Sequence, residues 1–158
     1  MSQIPRLLEK LKSEGDKLFD LFSNLRDSDW NIEIYTEGSI WTVRNVLIHF
    51  VTAERAFLTG LFPNVLKGDG GSTQEFSIDR FNARQQERSQ NLTTQELLEM
   101  FKSIRADMIE WVAKLNEGDL EISGRHPYLG WITLGEMIKT VYVHNLQHYR
   151  DIKKVIRH

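Results

Sequence analysis

Thr133-Leu-Gly-Glu-Met-Ile-Lys-Thr-Val-Tyr-Val-His144-Asn-Leu-Gln-His148-Tyr-Arg-Asp-Ile-Lys-Lys-Val155 is the stretch whose reading decides the fold. Met137, Val141, His144, His148, Ile152 and Val155 recur at three- and four-residue steps, the period of one helix face. Thr133 followed by Glu136 has capping-box spacing, which predicts a helix from Thr133 to the last residues. Two histidines lie inside its apolar stripe.

Working outward, three further segments show the same period. From Pro5 to Leu25 the stripe is Leu7, Leu8, Leu11, Leu18, Phe19, Phe22 and Leu25, and Pro5 suits a first turn, where a missing N–H costs nothing. A second helix is predicted from the N-cap Thr42 to about Leu61, closed by Pro63. Its stripe is Val46, His49, Phe50, Ala53 and Phe57. A third opens at Thr93 or Thr94 and ends before Asn116–Gly118, with Leu97, Leu98, Phe101, Ile104, Met108, Val112 and Leu115 on one face. Ile78 to Arg88 is read as a shorter helix. The expected fold is all-α: one domain over residues 1–158, a four-helix bundle with long connecting loops and one short extra helix. Segments 26–41, 62–77 and 116–132 are long for such a bundle, and loops of that length are usually functional or mobile. Asn31-Ile-Glu-Ile-Tyr35 alternates like a short strand. No internal repeat is evident.

Composition excludes several chemistries. Twenty Lys/Arg against twenty-two Asp/Glu leave a formal charge of −2, which argues against nucleic acid as a partner. There is no cysteine, so disulfides, thiolate ligands and cysteine nucleophiles are all ruled out. No stretch approaches the ~18 uncharged apolar residues of a membrane span. The opening Met-Ser-Gln-Ile-Pro-Arg has no signal-peptide apolar core. A cytoplasmic protein without a membrane partner is the expectation.

Any transition-metal site must therefore use imidazole and carboxylate. His144 and His148, four residues apart, stack on one helix face and can converge on one ion. The spacing is also that of zinc peptidases, but Asn145 stands where their general-base glutamate would follow the first histidine, so that reading is rejected. His49 lies at similar depth in the second helix. Burying three imidazoles without partners would cost about 1–3 kcal/mol each, whereas a divalent metal would satisfy all three and keep them neutral. Three protein ligands leave positions open, as catalytic sites do. The alternative is a metal-free bundle whose histidines hydrogen-bond to neighbours. His126, in the last long loop, is read as facing solvent, with a position over the site as the alternative, and His158 is read as inert.

Helical spacing nominates residues around the ligands. Asn45 and Thr52 lie about one turn before and after His49, and either could orient a ligand or substrate. Asn145 and Gln147 flank the pair, with Gln147 pointing away. Trp41 and Tyr142 are candidate pocket walls, and Glu54 and Asp151 are read as surface or ion-pair residues, with an acid/base role as the alternative.

Two segments carry a resemblance. Trp41-Thr-Val-Arg-Asn-Val-Leu-Ile-His49, with Glu54-Arg55 following, resembles the tryptophan-to-histidine opening of the second helix in DinB/YfiT-like proteins. Trp131-Ile-Thr-Leu-Gly-Glu-Met, leading to His144-x-x-x-His148, resembles their fourth helix. The resemblance implies a four-helix bundle holding a divalent ion, nickel or zinc, through His49, His144 and His148. It also implies a homodimer, stress-linked expression and a small-molecule substrate. Relatives include transferases and isomerases that use bacillithiol, mycothiol or glutathione, and metal-dependent hydrolases. The leading expectation is a thiol-dependent transferase or isomerase using a low-molecular-weight thiol. The alternatives are a metal-dependent hydrolase and a non-catalytic metal- or ligand-binding bundle. Since the chain has no cysteine, reacting sulfur would arrive with a cosubstrate.

Overall fold

The computed structural model describes residues 2–156, so His158 lies outside the described residues. Four long helices form the bundle: α1 (Ile4–Ser23), α2 (Val43–Ala56), α5 (Thr94–Ala113) and α6 (Leu134–Val155). Two shorter ones, α3 (Phe62–Leu66) and α4 (Ile78–Ser89), intervene. The N-caps are those the spacing predicts. Thr42, Thr93 and Thr133 each accept a hydrogen bond from the third helical N–H, and the side chains of Asn45, Glu96 and Glu136 return to the cap. Pro5 sits in the first turn of α1.

Helices α1 and α2 each pack against α5 and α6. Consecutive helices α1 and α2 thus occupy opposite corners, as do α5 and α6. Crossing a diagonal takes more chain than joining neighbours, which explains the long connections. They are not structureless. Residues 27–31 and 117–121 are 3-10 turns, followed by hairpins of β1 (Glu33–Tyr35) with β2 (Trp41–Thr42) and β3 (Ser123–His126) with β4 (Gly130–Thr133). Of the alternating residues 31–35, Glu33–Tyr35 form a strand.

The two crossings are built alike, although the sequence shows no internal repeat. Asp29 and Asp119 cap the backbone N–H groups of Arg26 and Asn116. Trp30 and Leu120 are buried beneath the turns. The first residues of α2 and α6 close each unit by donating to Ile32 and Ile122 carbonyls. Asp and Ile recur at 29/119 and 32/122, but Arg26 and Trp30 stand opposite Asn116 and Leu120, so the shared positions are too few to register as a sequence repeat.

Pro63 does not end the second helix. Residues 57–61 form a π turn, and the chain continues helically to Leu66 with Pro63 in the first turn of α3. Proline lacks an N–H and its ring collides with the carbonyl four residues back; widening the preceding turn relieves the clash without unravelling the helix. The run Val43–Leu66 is long and apolar enough by composition to cross a membrane. Its His49 and Glu54 are buried in the bundle, and it serves as the core helix.

The core has two apolar clusters. One centres on Leu11, Phe62, Met108, Val112, Leu134 and Ile138, the other on Leu18, Phe22, Val46, Phe50, Phe101 and Ile152. Along the helices a polar layer falls between them: Arg105 of α5, Glu54 of α2 and Asn145 of α6, beside Gly15 of α1. Arg105 Nε and Nη2 each donate to one Glu54 carboxylate oxygen at 2.9 Å, while Nη1 donates to the Leu11 carbonyl at 2.8 Å. Asn145 accepts from Nη2 and donates to Glu54. The ion-paired side chains are only 5% and 3% exposed, so Glu54 is a buried partner rather than a surface residue. A Cβ on Gly15 would lie 2.8 Å from Arg105 Nη1; hydrogen in place of a side chain there makes room for the guanidinium.

Candidate metal centre

One helix turn separates His144 from His148, and the packing of α2 against α6 brings His49 to them. One ligand nitrogen from each lies within 4.8 Å of the others, and the Nε2 atoms of His144 and His148 are 2.8 Å apart. The rings meet edge to face, with centroid separations of 5.1 Å (His49–His144) and 5.6 Å (His49–His148). Burial is the main force on their protonation. It lowers His49 to about 3, aided by the two neighbouring imidazoles and opposed by the Asn82 amide. Burial and His144 lower His148 to about 4, with Asp151 acting to raise it, and burial lowers His144. All three are neutral at pH 7 and offer lone pairs.

Among the described residues, His49 Nδ1 is buried without a hydrogen-bond partner. Buried imidazole nitrogens are ordinarily paired. Three converging neutral imidazoles, one with an unmet bond, are a donor set that fits a divalent transition ion.

His148 is oriented from behind. Its Nδ1 lies 2.6 Å from the Tyr35 hydroxyl, and that hydroxyl donates to Asp151 at 2.5 Å. A hydroxyl has one proton, so with that proton on Asp151 it accepts from His148 Nδ1–H. The tautomer then leaves the Nε2 lone pair facing His144. Burial and the Asp151 carboxylate push the Tyr35 hydroxyl pKa upward, which keeps it protonated for this role. Tyr35 was not nominated from sequence; the strand-like alternation ending at it was the available signal.

A cavity of about 560 Å³ opens over the histidines, within the usual range for small-molecule sites. Its walls come from α2 and the π turn (Ala53, Ala56, Phe57, Gly60, Leu61), α4 (Ile78, Phe81, Asn82) and α6 (Thr140, Val141). All three long connections reach it: Trp41 from the first, Gly71, Ser72 and Phe76 from the second, Pro127 and Tyr128 from the third. The second connection is pinned in place. Gly71 N–H donates to the Asn64 side chain, and Gly70 O and Ser72 N bond the backbone of Arg125. Gly71 has φ +87°, and a Cβ there would lie 2.6 Å from Arg125 backbone atoms, so only glycine fits.

The other nominated residues divide. Trp41 lines the cavity and its ring lies 5.1 Å from His49. Asn45, Thr52 and Tyr142 are not among the lining residues. Asn45 caps α2 and clasps Gln86 of α4 through its side chain and carbonyl. The Thr52 hydroxyl is spent on the Ile48 carbonyl. Tyr142 is buried in the apolar cluster around Leu11. Asn145, next to His144, belongs to the arginine layer. Asp151 holds Tyr35 rather than a cation, and Gln147 is exposed as expected.

His126 corrects the solvent reading: it is 2% exposed. Strand alternation turns Gly124 and His126 inward. Its Nδ1 faces the N–H groups of Tyr128 and Leu129, and its ring lies against Phe57 and Tyr128. Burial, then His144, lowers it to about 4.

Comparison with known proteins places this geometry. The DinB superfamily profile matches residues 10–152. No curated protein matches the chain by sequence. Among solved structures, YfiT from Bacillus subtilis, described as a probable metal-dependent hydrolase with an unusual four-helix bundle topology, is similar with a TM-score of 0.79 and 17% identity, covering 98% of this chain and 87% of that one. The mycothiol-dependent maleylpyruvate isomerase gives 0.77 and 12%, covering 96% and 61%. An uncharacterised protein from Escherichia coli UTI89 gives 0.76 and 13%, covering 98% and 92%. The chain belongs to the DinB superfamily.

Proposed function

We propose that this protein is a metal-dependent enzyme acting on a small molecule, with His49, His144 and His148 holding one divalent ion, nickel or zinc. The observation that carries the reading is the convergence of three neutral imidazoles, His49 buried and His144 and His148 half-buried, at the floor of an open cavity. When bound, such an ion supplies Lewis acidity that lowers the pKa of a ligand. The protein's part is to keep the imidazoles neutral by burial, to fix His148 through Tyr35 and Asp151, and to hold reactants between α4 and the hairpin loops.

Thiol chemistry is favoured over hydrolysis. No Asp or Glu lines the cavity, so a general base for water attack is absent from its described walls. A thiol, with a pKa near 8.5 in water, gives up its proton far more readily than water does where the walls offer no carboxylate base. The proposed activity is a thiol-dependent transfer or isomerisation, the sulfur being supplied by a low-molecular-weight cosubstrate. The resemblance to DinB/YfiT-like proteins adds a cytoplasmic homodimer with a role in stress.

Elemental analysis of untagged protein should find close to one ion per chain. His148→Ala should lose it, because two ligands rarely retain an ion. Full metal affinity in His148→Ala would overturn the assignment. A panel of thiols with electrophilic acceptors then reads the activity, and turnover unaffected by chelation would refute the mechanism.

A further inference from the structure

The cavity is bounded by twenty residues, none of them Asp, Glu, Lys or Arg. This is not for want of charge in the segments that build it. Lys67, Asp69, Glu75, Asp79, Arg80 and Arg125 all belong to the wall-forming stretches, and every one stays off the lining. Arg125 is the clearest case, since its strand neighbours Gly124 and His126 are buried while it is turned to the other face. Several of the polar groups on the walls are already committed. Asn64 accepts from Gly71 N–H, and the Thr140 hydroxyl donates to the Glu136 carbonyl. The polar side chains that remain on the lining are uncharged: the three imidazoles, Asn82, the Ser72 and Tyr128 hydroxyls and the Trp41 indole N–H. The rest is aromatic and aliphatic: Phe57, Leu61, Phe76, Phe81, Val141.

A charged ligand entering such a space would surrender hydration and find no counter-charge on the walls. An apolar ligand gains from every wall it touches. We propose that the cavity takes an uncharged, largely apolar small molecule with its polar group directed at the histidine end. It rests on the proposed metal reading only for the reacting end, where a bound ion would be the one counter-charge; the walls themselves supply none. A thiol cosubstrate bearing several carboxylates would have to leave them outside the cavity, so the molecule occupying it is the apolar acceptor.

Two fluorescent probes with one ring skeleton separate the possibilities. N-phenyl-1-naphthylamine is neutral, and 8-anilinonaphthalene-1-sulfonate adds a single anionic group. Titrated into the purified protein, the neutral probe should brighten with one site per chain and bind at least tenfold more tightly than the sulfonate. Gly60→Arg introduces a cation at the lining, where an added Cβ meets nothing within 4 Å. It should weaken the neutral probe and strengthen the sulfonate, while Gly60→Ala changes neither. Sulfonate binding equal to or tighter than the neutral probe in the wild type overturns the proposal. So does indifference of both probes to Gly60→Arg, which would put them elsewhere. Metal content of the same samples is read separately. The probes are therefore compared on chelated protein: a preference for the neutral probe in a sample that held no metal before chelation removes the metal reading alone, and a preference for the sulfonate in one that held an ion per chain removes this one alone.

Discussion

Helices α2 and α6 each carry two polar clusters, and the two could hardly be treated more differently. Glu54 and Asn145 join Arg105 in a sealed layer where carboxylate oxygens, guanidinium and amide are matched to one another. A few residues away, His49, His144 and His148 crowd their nitrogens together, and His49 Nδ1 has no partner among the described residues. The first cluster lies between the apolar halves of the core, and the second faces a cavity. Buried polar groups that satisfy each other serve the fold. Groups brought together with bonds left over serve a ligand.

The largest effect should come from breaking the sealed layer. Arg105→Ala would leave Glu54 as an uncompensated buried charge, a loss of about 3–5 kcal/mol, read as a lower denaturation midpoint. Replacing the trio together by Met, Leu and Leu should recover most of it. A drop under about 1 kcal/mol for Arg105→Ala would show that the layer is dispensable.

Acid should act on the other cluster. The folded pKa values of His49 (about 3) and His148 (about 4) lie below the ordinary 6.5, so between pH 6.5 and 4 the unfolded chain binds protons that the native state excludes. Stability of the metal-free protein therefore falls as pH falls through that window, by up to about 1.4 kcal/mol per unit for each imidazole. Denaturation midpoints at pH 7, 6 and 5 would check this; a flat profile would mean that the imidazoles are not buried neutral.

Tyr35→Phe removes the hydroxyl that orients His148. Metal affinity, measured by competition with a chelator, should drop about 10–100-fold while the metal-free protein keeps its melting temperature. Unchanged affinity would reduce the Tyr35–Asp151 pair to a surface tie between β1 and α6.

The smallest effect sharpens the contrast most. His49→Leu discards a nitrogen that has no partner, so metal-free stability should stay within about 1 kcal/mol of wild type, while stabilisation by added metal disappears. A large loss of metal-free stability would make His49 a core residue like Arg105.

The helices and their caps were legible because they depend on neighbours in sequence: Thr93 with Glu96 and Thr133 with Glu136 cap within one turn. His144 and His148 were legible as a pair for the same reason. Pro63 was misleading, since the usual rule ends a helix where this chain widens one turn and continues. His126 was misjudged because a polar side chain in a loop reads as exposed until its packing is known, and the ion-pair reading of Glu54 and the place of Asn145 beside the histidines left their shared partner unnamed. That partner is far along the chain: Arg105 is 51 residues from Glu54 and 40 from Asn145.

By itself, then, the chain determined its four amphipathic helices, their starting points and the placing of three histidines inside apolar stripes, all consequences of periodicity and short-range hydrogen bonding. Tertiary structure alone decided that α1 and α2, and likewise α5 and α6, stand on opposite corners, that Tyr35 reaches His148 across 113 residues, and that the charges of the wall segments stay off the cavity. Those are relations between surfaces, created only when packing chooses which faces meet.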